Sequence, residues 1–78
     1  MDYTDFLRIA EYGNENWKGS FTKEEVERNA QLYWDVFKWS KENKRPSFII
    51  TELINLLKED DSEECLEWAN RIEREING

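Results

Sequence analysis

The sequence predicts an all-α fold, with four helices in an antiparallel, bundle-like arrangement around a long second helix at about residues 22–43. Three observations predict it. Apolar side chains recur at three- and four-residue spacing in four stretches. Residues able to cap a helix N-terminus precede those stretches, and Gly19 with Ser20, Pro46, and the polar run at residues 59–62 interrupt them.

In the first stretch Phe6, Ala10, Gly13 and Trp17 recur at helical spacing with Tyr3 and Leu7 beside them, and Thr4 is the expected N-cap. Asn14, Asn16 and Gly19 weaken its far end, so the helix should finish between Gly13 and Lys18.

The second stretch carries the clearest start signal. Thr22 and Glu25 have the spacing of a reciprocal capping box, and Phe21 and Val26 that of the hydrophobic staple flanking it. At about 100° per residue, Val26, Ala30, Tyr33 and Phe37 fall on one line. Trp34 lies on one flank, and Asn29, Leu32, Val36 and Trp39 on the other. The resulting arc of roughly 220° is broad enough to meet neighbours on more than one side. Glu24, Glu27, Gln31, Asp35, Lys38 and Glu42 form the solvent strip. Cations at Lys38, Lys41, Lys44 and Arg45, followed by Pro46, predict an end near Asn43.

Ser47 is the expected cap of a third helix whose apolar arc contains Ile49, Ile50, Leu53, Ile54, Leu56 and Leu57. Phe48, Ile49, Ile50 and Thr51 alone have strand propensity, but the spacing that continues to Leu57 favours helix. Asp61 with Glu64, or Ser62 alone, can start a fourth helix. There Cys65, Ala69, Ile72 and Ile76 line one face, with Leu66 and Trp68 at its edges.

At 78 residues the chain is expected to form a single domain, residues 1–78, near the lower limit for one sufficient core. Four Trp, four Phe and three Tyr supply large rings to fill it. Neither a membrane-spanning run nor a basic leader is visible, and one cysteine excludes an internal disulfide, so a cytoplasmic setting is expected.

Several chemistries lack their parts. No histidine is present, and one cysteine cannot build a zinc site, so no metal and no cofactor is expected. A calcium loop counted from Asp60 would need Gly at Cys65 and Glu at Arg71; counted from Asp61 it would need them at Leu66 and Ile72. Cys65 lies on an apolar helix face beside Glu63 and Glu64, which raise a thiol pKa, and reads as a buried structural thiol. No glycine-rich phosphate loop or nucleophile elbow occurs, so no catalytic residue is expected. A net charge of −7 opposes contact with nucleic acid or an anionic membrane.

Three clusters remain as candidates for binding a protein partner. Trp34 and Trp39 edge the apolar arc of the second helix, where shorter neighbours need not cover both, and an aromatic surface formed by Tyr33, Trp34 and Trp39 would suit a partner or a second copy in a homodimer. Asp60, Asp61, Glu63, Glu64 and Glu67, with Glu59, form the densest acidic run. It is either a solvated helix start or a surface that meets a basic partner. Lys38, Lys41, Lys44 and Arg45 surround Trp39 as the one basic cluster; it is either a favourable placement of cations at a helix C-terminus or a contact for phosphate or for an acidic partner, including the acidic run of another copy. The expected function is therefore protein–protein interaction by a small acidic helical module. The alternative is an acidic inhibitor, or a nucleic-acid-mimicking decoy of the phage or mobile-element type, that occupies a basic surface on another protein.

Overall fold

The computed structural model describes residues 1–17 and 19–78; Lys18, the outer limit expected for the first helix end, lies outside them. Among the described residues the chain is all-α, with no strand: α1 (Tyr3–Asn16), α2 (Lys23–Asn43), α3 (Phe48–Glu59) and α4 (Glu63–Asn77). Its contacts divide it into two units, Met1–Asp35 and Val36–Gly78, and α2 runs through both.

In the first unit, α1 starts two residues earlier than a cap at Thr4 would allow. Its cap is Asp2, whose carboxylate accepts from the Asp5 backbone N–H at 3.2 Å, while Asp5 accepts from the Asp2 N–H at 2.9 Å. An aspartate is at least as good an N-cap as threonine, and the reciprocal pair satisfies two otherwise orphaned donors. The helix buries Phe6, Ile9 and Ala10. Ala10 packs with Val26 and Ala30 of α2, and Tyr3 and Leu7 close over that cluster.

The connection to α2 is held by Asn14, whose side-chain oxygen accepts from the Phe21 backbone N–H at 3.0 Å. A Cβ at Gly19 would approach the Asn14 Cα to 2.7 Å, so only glycine lets the chain pass this close. Asn14 thus organises the turn in addition to weakening the helix before it. At the start of α2 the predicted capping box forms: Glu25 N–H donates to Thr22 Oγ1 at 3.3 Å, and Thr22 N–H donates to Glu25 Oε1 at 3.1 Å. Val26 is buried, whereas Phe21 stays half exposed.

In the second unit, α2 ends at Asn43 as predicted, and the way it ends is informative. Lys44 takes a left-handed conformation with φ of 54°. Its N–H donates to the Lys41 carbonyl at 3.4 Å, and the Arg45 N–H to the Ser40 carbonyl at 3.2 Å. These are the two bonds of a Schellman motif, closed here without glycine. The Ser40 side chain is fully buried and accepts from the Ser47 N–H at 3.1 Å. Ser47 caps α3 through the Ile50 N–H at 3.2 Å. One buried hydroxyl therefore ties the end of α2 to the cap of α3.

α3 packs against α4. The buried positions are Ile50, Leu53, Ile54 and Leu57 of α3 and Cys65, Trp68, Ala69, Ile72 and Ile76 of α4. Leu56, assigned to the apolar arc by its spacing, is 41 % exposed; one residue step of about 100° from Leu57 carries it out of the contact stripe. Ser62 is the N-cap of α4, but its hydroxyl makes no capping bond. The Asp60 carboxylate instead accepts the Ser62 N–H at 3.0 Å, a turn that aspartate favours.

Candidate functional site

The three aromatics expected to share a surface have different surroundings. Tyr33 and Trp34 belong to the first unit and Trp39 to the second. The Trp34 ring lies 6.1 Å from that of Phe6, tilted by 40°, and both Trp34 and Tyr33 are partly buried. Trp39 is 43 % exposed, and the Arg45 guanidinium sits 5.6 Å from its ring centroid. A guanidinium at this distance from an indole is a cation–π contact.

The basic cluster is partly engaged within the second unit. Lys41 pairs with Glu75 at 3.7 Å, and its ammonium lies 5.6 Å from the ring of buried Phe37. Burial acts to raise the Glu75 carboxyl, but the cationic groups around it, Lys41 and Arg71 among them, outweigh burial and hold it below its ordinary value.

The acidic run is in water: Asp61, Glu63, Glu64 and Glu67 are all exposed, and Asp60 is half-buried through its turn with Ser62. The nearest base on α3, Lys58, is engaged by Glu73 of α4 at 2.8 Å. Glu63 and Glu64 occupy the first turn of α4, where the helix dipole favours carboxylates. Among the described residues no group of three Cys, Asp or Glu side chains is placed to hold a metal ion, and no helix is long and apolar enough to cross a membrane. Cys65 is fully buried.

Two features escape a reading of helical periodicity. Ser40 extends the buried line of α2 three residues past Phe37, but its polarity hides it from a search for apolar spacing. Phe48 is 76 % exposed in the first turn of α3, the most exposed large apolar side chain among the described residues. Its place opposite Leu57 on the helical wheel was the available signal. No protein-family model, curated protein or solved structure gives a significant match to this chain.

Proposed function

We propose that this chain is a small, non-catalytic interaction module that acts by protein–protein contact, with a second copy of itself as the first partner to test. The observation that carries this reading is Trp39, left 43 % exposed with Arg45 over its ring. Tryptophan and arginine dominate the energetics of protein interfaces, and an exposed indole already paired with a guanidinium offers both at one point. Tyr33 and Trp34 supply less free surface to such a contact than their positions on the helix suggested. A net charge of −7 supports a protein partner over nucleic acid or anionic lipid, and a single buried cysteine fits a reducing, cytoplasmic setting.

Light scattering over a concentration series tests it. The expected result is mass rising with concentration, and Trp39→Ala shifting the chain to monomer. A strict monomer whose tryptophans all emit as buried removes the basis for the homodimer.

The second reading is an acidic inhibitor or decoy for a basic surface on another protein. It is favoured by the exposure of Asp61, Glu63, Glu64 and Glu67, none of which is in an ion pair among the described residues. Binding of that kind weakens with salt and with neutralisation of those carboxylates.

A further inference from the structure

We infer that the outer face of α3 is a docking surface for a Lys/Arg-bearing amphipathic helix of another protein. It concerns the same sign of partner as the acidic reading above, and rests on that reading in that one respect. At about 100° per residue, Phe48, Glu52, Asn55 and Glu59 fall within about 60° of one another, and Leu56 borders them. All five are exposed. Glu52, Asn55, Leu56 and Glu59 line a shallow groove of about 320 Å³, and Phe48 stands 76 % exposed at the N-terminal end of the same face.

The chemistry of this face selects its occupant. Phe48 and Leu56 are apolar anchors roughly 12 Å apart along the axis, a separation matched by apolar residues two turns apart on a partner helix. Glu52 and Glu59 flank them one heptad apart, with no ion pair among the described residues. The single lysine of α3, Lys58, is turned to Glu73. The face therefore carries negative charge and apolar surface together, and among the described residues no ion pair neutralises that charge.

A second copy docking symmetrically would bring Glu52 and Glu59 against their own counterparts, and phosphates would meet the same repulsion. A helix with one apolar stripe edged by lysine or arginine satisfies both features at once.

The probe is a fluorescently labelled, leucine- and lysine-bearing amphipathic peptide of about four turns, titrated against the full chain by anisotropy. Saturable binding is expected, weakened about tenfold by Phe48→Ser, as for loss of an interface anchor. Glu52→Gln with Glu59→Gln should weaken it several-fold and flatten its salt dependence. Phe48→Leu should retain binding, and Glu24→Gln with Glu27→Gln, on the exposed strip of α2, should leave it unchanged.

Circular dichroism checks the fold of each variant; if Phe48→Ser unfolds, the Glu52 and Glu59 pair decides. Equal affinity for the α3 variants overturns the inference. If only Asp61→Asn, Glu63→Gln and Glu64→Gln weaken binding, the acidic reading stands and this surface falls. If neither set does, both fall. Self-association abolished by Phe48→Ser would give the face to a second copy and overturn the inference as well.

Discussion

Lys44 shows how much one backbone position contributes. An L-residue in the left-handed region costs about 1–2 kcal/mol relative to the right-handed one, because its Cβ crowds the following carbonyl. The chain accepts that cost at Lys44 because the Schellman bonds to Lys41 and Ser40 satisfy carbonyls at the end of α2. Glycine removes the crowding but adds freedom to the unfolded chain, an opposing effect of about 0.4–1 kcal/mol. Lys44→Gly should therefore stabilise the protein by about 0.5–1 kcal/mol. Thermal unfolding followed by circular dichroism should show a midpoint higher by several degrees, and Lys44→Val should move it the other way.

At the scale of elements, the helices of the second unit are joined by a few polar contacts around an apolar interior. Lys58 with Glu73 links α3 to α4, and Lys41 with Glu75 links α2 to α4. The Lys58 pair is solvent-exposed on both sides, so its contribution is at most about 1 kcal/mol and falls with salt. The Glu75 carboxyl is held below its ordinary value of 4.5. Its ionised form is favoured in the folded state, so its contribution is fully present above 4.5 and disappears as pH falls through the lowered value. Glu75→Gln should consequently lower the melting temperature at neutral pH, and the gap to the unsubstituted protein should close on acidification. A gap that is constant with pH would mean that packing, and not charge, is what Glu75 supplies.

For the molecule as a whole, charge is unevenly spread. Residues 59–67 carry six carboxylates and no cation, against a total of −7. Self-repulsion of this kind destabilises a folded chain and is screened within about 10 Å at 0.1 M salt. Raising salt from low to moderate ionic strength should thus increase the melting temperature. In Glu63→Gln with Glu64→Gln the increase should be smaller, which differential scanning calorimetry at several salt concentrations would resolve. Charge likewise distinguishes the Trp39 surface from the α3 face, which carries Glu52 and Glu59. Contact through Trp39 should depend weakly on salt, and contact through α3 steeply.

The sequence by itself determined the helices and most of their ends. The Thr22–Glu25 box, the Ser47 cap and the stop before Pro46 are interactions within about four residues, so their signals lie side by side in the chain. The Asp2–Asp5 cap belongs to the same class and was legible in its spacing, although Thr4 was the residue expected there. Only the tertiary structure decided which apolar side chains are covered. Ile9 and Trp68 are buried while Leu56, Leu66 and Trp39 are not, and Ser40 is fully enclosed although it is polar. Helical periodicity assigns a side chain to a face. Whether that face meets another helix or water depends on where residues far along the chain come to lie, and no local spacing encodes that.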